Sequence, residues 1–370
     1  MVTDGPHVVF ERNPDALVLP ASTMKLLTAT AVLVRIDPNT RLRTSLVTAT
    51  TPDATGTIKG DLYLVGGGDP LLGTLPFGAH FTRQPHLITA MEVLADRMRD
   101  AGVHHITGRV VGDDSRYDRQ RYLATWPASY VSDHEAGPLS ALLVNDGDAA
   151  WSPREVPFAD PAAGGAGVFA ALLRQRGITI DGGTAAGTAP RGGVEVAGMD
   201  SPTIAELVKE TLLDSNNNGA ELLLRELGLR VLGQGTTDAG RRVVVDTLTR
   251  MGMPMSGVNV VDGSGLDRGN RVTCRLLTAL LTTSPVRWLI AGGLPVAGQT
   301  GTLAKRFLRT PVAGHLSAKT GTLHGVAALA GYADGAAGAR LTFAYLQNGV
   351  GPLQGSRMED ELGRDLVTAR

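Results

Sequence analysis

Two residues near the start of the 370-residue chain have the types and the spacing for covalent chemistry. Ser22 and Lys25 stand three positions apart in the run S-T-M-K, so on a helix the hydroxyl and the amine would share one face. A serine hydroxyl needs a base beside it to act as a nucleophile at neutral pH, and a lysine amine can be that base when burial favours its uncharged form. The pair therefore indicates attack of a serine on a carbonyl carbon.

Two later motifs supply groups that would assist such a reaction. S-N-N at 215–217 interrupts two predicted helical runs, and K-T-G-T at 319–322 lies at the end of a predicted strand over 314–319. A lysine facing a pocket can hold a carboxylate, and glycine permits close backbone approach. Taken singly, S-N-N is also typical of a helix cap and turn, and K-T-G-T is also typical of an edge strand that ends in a turn. A similar run, Q-T-G-T at 299–302, lacks the lysine and is interpreted as a loop.

The pattern of apolar residues predicts the elements that must position these motifs. Apolar side chains dominate Met24 to Val34, which predicts a largely buried helix that includes Lys25. Period-two alternation between 42 and 65 predicts strands, whereas the glycine-rich stretch 184–200 is expected to be a return linker. The other predicted elements are a strand at 7–12, helices at about 87–102, 161–177, 204–212, 220–227 and 238–251, a helix around Cys274, strands at 324–333 and 340–347, and a final helix from about 354.

Composition excludes several classes of protein. Hydrophobic residues make up 43% of the chain, which supports a sizeable core and excludes a disordered protein. Lys and Arg total 35 against 36 Asp and Glu, so the basic excess expected of a general nucleic-acid binder is absent. The single cysteine, Cys274, excludes an intrachain disulfide and a cysteine-only metal cluster, and no H-E-x-x-H sequence is present. No metal and no cofactor are therefore expected.

The motifs, in this order, resemble the D-alanyl-D-alanine carboxypeptidase/endopeptidases of the class C low-molecular-mass penicillin-binding proteins. The similarity runs over nearly the whole chain, with S-N-N standing where the signature has S-D-N. It implies an α/β, β-lactamase/transpeptidase-like fold, in which an antiparallel sheet is flanked by helices beside an all-helical lobe, with an inserted α+β domain. The catalytic domain would comprise 1–45 and 200–370, and the insertion 46–199. The resemblance is carried by P-A-S-T-M-K-L at 20–26, G-G-G-D-P at 66–70, D-G-S-G-L at 262–266, L-P-V-A-G at 294–298 and A-K-T-G-T-L at 318–323.

The resemblance also implies a role for each motif residue. Ser22 would attack the carbonyl of the penultimate D-alanine, and Lys25 would take its proton. Ser215 would relay a proton to the leaving amine, while Asn217 would bind the substrate amide and Lys25. The backbone N–H groups of Ser22 and Thr322 would form the oxyanion hole. The terminal carboxylate would be bound by the third motif, which consists of Lys319, Thr320, Gly321 and Thr322.

Two outlying charged residues resemble family positions that read the charged end of a diaminopimelate side chain. Arg268 follows the D-G-S-G turn, and Asp114 follows a predicted strand at 110–111. An ordinary surface charge in a turn is the alternative interpretation of both residues, and for Asp114 it is the favoured one.

The resemblance implies that the partners are peptidoglycan stem peptides and, as covalent inhibitors, β-lactams. The protein is expected outside the cytoplasm, in the periplasm or at the cell wall. No run of about 18 uncharged apolar residues predicts a membrane span, and the first residues do not resemble a signal peptide, so the targeting segment is expected to be missing from this chain.

Two alternatives stay open. One is a serine β-lactamase on the same fold, although no E-x-x-L-N run lies between 215 and 319. The other is a catalytically inert wall-binding protein, against which the intact motif residues argue.

Overall fold

The computed structural model describes residues 1–335 and 338–368, and the chain divides into two compact units. Unit 1 comprises Met1–Pro38 and Ile204–Arg370, and unit 2 comprises Asn39–Thr203. The strands are β1 (Val2–Asp4), β2 (His7–Phe10), β3 (Arg41–Thr48), β4 (Thr57–Ile58), β5 (Leu62–Val65), β6 (Leu72–Gly73), β7 (Thr89–Ala90), β8 (His105–Ile106), β9 (Val110–Asp113), β10 (Asp148–Ala150), β11 (Val156–Pro157), β12 (Thr179–Ile180), β13 (Thr184–Ala186), β14 (Val194–Thr203), β15 (Leu316–Leu323), β16 (Val326–Asp334) and β17 (Arg340–Asn348).

The helices alternate with these strands. They are α1 (Lys25–Arg35), α2 (Leu75–His80), α3 (Met91–Asp100), α4 (Ser129–Ser132), α5 (Pro161–Gln175), α6 (Ile204–Leu213), α7 (Asn217–Leu232), α8 (Thr237–Arg250), α9 (Cys274–Thr283), α10 (Arg287–Ala291) and α11 (Pro352–Thr368). Short 3-10 turns occur at Ala21–Met24, Asn145–Gly147 and Gly301–Leu303. Among the described residues, none of the helices combines the length and the apolar character needed to cross a bilayer.

Unit 1 contains a five-stranded antiparallel sheet in the order β15-β16-β17-β1-β2. The predicted meander over the last three strands is therefore confirmed, and the first two strands of the chain extend it. Leu316, Leu329 and Phe343 of this sheet pack with Leu366 of α11 in one buried cluster. The sheet thus has a rigid, buried support, which is a suitable base for side chains that must be held in fixed positions.

Helix α1 is the central helix of unit 1 and is buried from Lys25 to Leu33. It contacts α6, α7, α8, α9 and α10, which explains why its sequence is apolar on nearly all sides. It ends at Arg35, shortly before Pro38, because the residue preceding a proline is disfavoured in the helical conformation.

Unit 2 is built around a mixed five-stranded sheet in the order β13-β9-β5-β3-β14. The three strands β13, β9 and β5 are parallel, while β3 pairs antiparallel with both β5 and β14. A separate parallel sheet has the order β12-β8-β4. Helices α3 and α5 bury Met91, Leu94 and Phe169 against these strands in one core. The predicted fold class, with an inserted α+β part, is confirmed.

Two predictions about elements are wrong. The stretch 184–200 is not a linker, because it forms β13 and most of β14. Its glycines and proline suggested a loop, but the strand β3 offers β14 a partner along its whole length, with bulges that absorb the irregular positions. The third motif does not follow a strand ending at residue 319, since β15 continues through the motif to Leu323.

The sequence placed the domain boundaries at 45/46 and 199/200, whereas the compact units change at 38/39 and 203/204. The difference arises because β3 and β14 pair with each other and so keep both flanking segments in unit 2. The assignment of unit 1 as the catalytic domain stays a prediction.

Candidate active site

Ser22 lies in the 3-10 turn Ala21–Met24, which leads directly into α1. The turn starts from a left-handed residue, since Ala21 has φ +47°. Gly265 has φ +90° and approaches the turn so closely that a Cβ there would collide with the Ala21 carbonyl oxygen. Glycine is required at this position for both reasons, and its absence of a side chain lets the 262–265 turn pack against the residue that precedes the serine.

Lys25 is only 1% exposed, as the apolar sequence around it predicted. Its Nζ atom lies 3.1 Å from Ser22 Oγ, 2.6 Å from Asn217 Oδ1 and 2.8 Å from the carbonyl oxygen of Ser264. An uncharged amine has two N–H bonds and one lone pair. If the two N–H bonds are donated to the Asn217 amide and the Ser264 carbonyl, the lone pair is directed at the Ser22 hydroxyl, so the arrangement suits Lys25 to act as a base.

The middle residue of the second motif has a structural role. Asn216 is the N-cap of α7, and its Oδ1 accepts a hydrogen bond of 2.5 Å from Gly219 N. Asparagine and aspartate are about equally good N-caps, so S-N-N and S-D-N build the same local structure. The cap fixes the first turn of α7, and this places Asn217 against Lys25.

Lys319 is fully buried, at 0% exposure. Its Nζ donates hydrogen bonds of 2.8 Å to Ser215 Oγ and of 2.8 Å to the Thr320 carbonyl oxygen. Ser215 adopts φ +59°, a conformation that turns the chain out of α6 before α7 begins. Burial, with a further contribution from the charge of Lys25, lowers the pKa of Lys319 well below its usual value.

The backbone of β15 approaches the nucleophile turn at Gly321. A Cβ on Gly321 would lie 2.9 Å from the Pro20 carbonyl oxygen and 3.1 Å from Ser22 N, which is tight for both. The Q-T-G-T run, interpreted from the sequence as a loop, ends in the 3-10 turn Gly301–Leu303 beside the third motif. There, Thr302 Oγ1 lies 2.8 Å from Thr320 Oγ1, so the two hydroxyls are hydrogen bonded.

The two outlying charges have different surroundings. Arg268 is exposed and donates a 3.2 Å hydrogen bond to the His324 carbonyl oxygen, just beyond the end of β15. Asp114 belongs to unit 2 and is 1% exposed, with its carboxylate 2.6 Å from Arg121 and accepting a hydrogen bond from Ser140. The guanidinium of Arg268 is therefore accessible from solvent, whereas the carboxylate of Asp114 is already paired.

Two buried carboxylates behind Lys25 were not singled out from the sequence. Asp262 accepts hydrogen bonds from Gly265 N and Asp267 N, and Glu221 accepts them from Gly263 N and Ser264 N. Burial, reinforced by the nearby charge of Asp262, raises the pKa of Glu221 above its ordinary value. The sequence did contain a pattern that could have pointed to Glu221. This residue follows Asn217 by four positions, about one helical turn, and therefore lies on the same face of α7.

Unit 1 thus brings together five residues that the sequence placed in three separate motifs. Ser22, Lys25 and Asn217 form one hydrogen-bonded group, and Lys319 with Ser215 forms another whose lysine is close enough to Lys25 to be influenced by its charge. The groups around Ser22 are amines, an amide and a hydroxyl, which are not the ligand set of a divalent metal. Chemically, they are suited to nucleophilic attack with proton transfer.

An antiparallel sheet flanked by helices, with a serine and a lysine at the start of a buried helix, is the arrangement of the transpeptidase-like fold that penicillin-binding proteins share with serine β-lactamases. The chain belongs to the D-Ala-D-Ala carboxypeptidase 3 (S13) family of peptidases, whose family model matches residues 2–155 and 148–367. This confirms the family predicted from the motifs and makes the protein a peptidase of the D-Ala-D-Ala carboxypeptidase type.

Several relatives resemble the chain over most of its length. A carboxypeptidase DacB of Mycolicibacterium smegmatis is 30% identical over 354 residues, which cover 93% of this chain and 74% of that protein. A D-alanyl-D-alanine carboxypeptidase of an Actinomadura species is 27% identical in an alignment that covers 92% of this chain and 75% of that protein.

Solved structures show the same fold. Penicillin binding protein 4 of Haemophilus influenzae superposes with a TM-score of 0.81 at 20% identity, covering 98% of this chain and 95% of that chain. A predatory peptidoglycan endopeptidase of Bdellovibrio bacteriovorus superposes with a TM-score of 0.63 at 16% identity, covering 96% of this chain and 88% of that chain.

Proposed function

We propose that the protein is a serine DD-peptidase that cleaves the D-Ala-D-Ala bond of peptidoglycan stem peptides through an acyl-enzyme on Ser22. One observation supports this most directly. Lys25 is buried 3.1 Å from Ser22 Oγ, and two other acceptors are available for its N–H bonds. That geometry is what an amine needs in order to remove a proton from the serine hydroxyl.

In the acylation step, Ser22 Oγ attacks the carbonyl carbon of the penultimate D-alanine, and its proton passes to Lys25. The charge that develops on the carbonyl oxygen is stabilised by the backbone N–H groups of Ser22 and Thr322, and the close approach of β15 to the nucleophile turn at Gly321 supports this pairing. Ser215 relays a proton to the amine of the departing D-alanine as the C–N bond breaks. Water then attacks the ester on Ser22 and releases the shortened peptide.

The terminal carboxylate of the substrate is bound by the third motif. Lys319 supplies positive charge, and Thr320 and Thr322 supply hydroxyl groups. Because Lys319 is buried and its pKa is lowered, a bound carboxylate would also favour its charged form. Asn217 binds the substrate amide with the part of its side chain that does not contact Lys25.

The same site favours two further assignments within this proposal. Cleavage of a D-Ala-diaminopimelate cross-link requires the same attack by Ser22, and one structural relative is described as a peptidoglycan endopeptidase. β-Lactams would acylate Ser22 and block the site, and a related endopeptidase has been solved acylated by penicillin G. Since the proposed substrate is part of the cell wall, the protein is proposed to work outside the cytoplasm, in the periplasm or at the wall.

Labelling with a fluorescent penicillin tests the proposal. We expect one label per molecule, located on Ser22 by mass spectrometry of the digested protein, and no label on Ser22→Ala. A defined pentapeptide ending in D-Ala-D-Ala should lose one D-alanine, at a rate that Ser22→Ala abolishes. Absence of labelling and of turnover would favour the inert wall-binding protein, and rapid turnover of a chromogenic cephalosporin would favour the β-lactamase.

A further inference from the structure

The turn at 262–265 supplies the Ser264 carbonyl oxygen, one of the hydrogen-bond acceptors that orient Lys25. Glu221 of α7 holds this turn in place. The Oε1 atom of Glu221 accepts hydrogen bonds from Gly263 N at 2.9 Å and from Ser264 N at 2.8 Å. The side chain is 0% exposed, so these bonds are shielded from water. A carboxylate that accepts two backbone N–H groups forms charge-assisted bonds, which are among the stronger ones in proteins.

Helix α1 holds the same turn from the opposite side. The carbonyl oxygen of Gly263 accepts a 2.8 Å hydrogen bond from Thr28 Oγ1, and that of Ser264 accepts one of 2.8 Å from Lys25 Nζ. Lys25 and Thr28 are three residues apart and share a face of α1. The peptide group between Gly263 and Ser264 is therefore held at its N–H end by α7 and at its C=O end by α1, while α7 also binds the N–H before it and α1 the C=O after it.

The turn also has its own internal support, which is separate from Glu221. Asp262 Oδ1 accepts hydrogen bonds from Gly265 N at 2.9 Å and from Asn270 Nδ2 at 2.7 Å. Its other oxygen accepts a bond of 2.6 Å from Asp267 N. Asp262 thus shapes the turn, whereas Glu221 determines where the turn lies relative to α7 and Asn217.

We propose that Glu221 is a positioning residue that holds the Ser264 carbonyl against Lys25 and thereby directs the lysine lone pair at Ser22. The inference rests on the proposed acyl-enzyme function and adds a residue that never touches the substrate. Without the carboxylate, the buried N–H groups of Gly263 and Ser264 lose their acceptor, so the turn must shift to find another. A displacement of about 1 Å in a catalytic group can cost on the order of 100-fold in rate.

The test separates positioning from binding and from folding. The reaction with a fluorescent penicillin is resolved into the affinity of the non-covalent complex and the acylation rate constant. Glu221→Leu should lower the rate constant on the order of 100-fold and leave the affinity within about 2-fold. Glu221→Gln keeps an oxygen that can accept both bonds, and it should restore the rate constant to within about 5-fold of wild type.

Two other variants control for stability. Glu226→Leu removes another fully buried carboxylate of α7, which is paired with Arg230, and should leave the acylation rate constant within about 2-fold. If Glu221→Leu does not fold, Glu221→Asp retains the charge but withdraws the acceptor by one methylene, and its rate constant should fall about 10-fold.

The possible results distinguish this inference from the proposed function. A wild-type protein that penicillin does not label would overturn the acyl-enzyme function, and this inference with it. Normal labelling of the wild type, with an unchanged acylation rate constant in Glu221→Leu, or in Glu221→Asp where the leucine variant does not fold, would overturn the inference alone. A loss confined to affinity, or equal losses in Glu226→Leu and Glu221→Leu, would do the same.

Discussion

Asn217 and Lys25 are 192 residues apart in the sequence, and a hydrogen bond of 2.6 Å joins the Asn217 Oδ1 to the Lys25 Nζ. The bond connects the first turn of α7 to the first turn of α1. The lysine beside Ser22 is therefore oriented by a residue that the chain supplies only after the whole of unit 2.

Replacing Asn217 should impair acylation with little effect on folding. Asn217→Ala removes an acceptor of a Lys25 N–H bond and a group proposed to bind the substrate amide. We expect the acylation rate constant with a fluorescent penicillin to fall roughly 100-fold or more. Asn216→Asp is the matched control, since it keeps the N-cap, and its rate constant should stay within about 2-fold of wild type. Equal losses in the two variants would contradict the separate roles given to these neighbours.

Adding a methyl group at Gly265 should destabilise unit 1. The new Cβ would collide with the Ala21 carbonyl oxygen and would also occupy a left-handed conformation, at φ +90°. Gly325→Ala is the comparison, because its φ is +77° but its Cβ would meet nothing within 4 Å. We expect a loss of about 1 kcal/mol in the free energy of unfolding for Gly325→Ala from backbone conformation alone. For Gly265→Ala we expect a further ~1–3 kcal/mol from overpacking, and similar values for the two in urea unfolding would refute the steric argument.

The pH dependence of stability should reveal the burial of Lys319. Its pKa is lowered in the folded protein, so between that pKa and the usual value of about 10.4 the unfolded chain binds more protons than the folded one. The free energy of unfolding contributed by this group therefore rises with pH across that window. Lys319→Met should flatten this rise and abolish peptidase activity.

Urea unfolding at several pH values checks this prediction. Lys305→Met changes a lysine on the same unit that is exposed, and it should leave the pH profile of unfolding unaltered. A steeper profile in Lys319→Met than in wild type would show that the sign of the effect has been assigned wrongly.

Arg268 should contribute to the choice of stem peptide and leave the acylation chemistry unchanged. Its exposed guanidinium lies beside the His324 carbonyl at the end of β15 and is proposed to attract the carboxylate of a diaminopimelate side chain. An exposed ion pair is worth up to ~1 kcal/mol, so Arg268→Ala should lower kcat/KM for a diaminopimelate peptide about 5-fold. The same peptide with lysine in that position, and a β-lactam, should react at unchanged rates. An equal loss of kcat/KM for both peptides would contradict the role proposed for Arg268.

The sequence alone was sufficient to predict the motifs and the helices and strands next to them, because the patterns that identify them are local. The S-x-x-K spacing predicted that Ser22 and Lys25 would meet, and the apolar residues after Lys25 predicted its burial. The role of Glu221 was not foreseen, because it depends on where a remote turn lies, and a glutamate in a helix is usually exposed. The strands in 184–200 were missed for a similar reason, as their stability comes from β3 and not from their own residues.

The place of β1 in the sheet of unit 1 has a consequence for how the protein is made. β1 is hydrogen bonded to β17, so its partner is synthesised only after the whole of unit 2. At about 5–20 residues per second, Asn39–Thr203 has many seconds in which to fold before the partner strand of β1 has been synthesised. A nascent chain that does not yet contain β17 has no hydrogen-bonding partner for β1, so the sheet of unit 1, and with it the proposed reaction at Ser22, requires synthesis of the chain beyond unit 2.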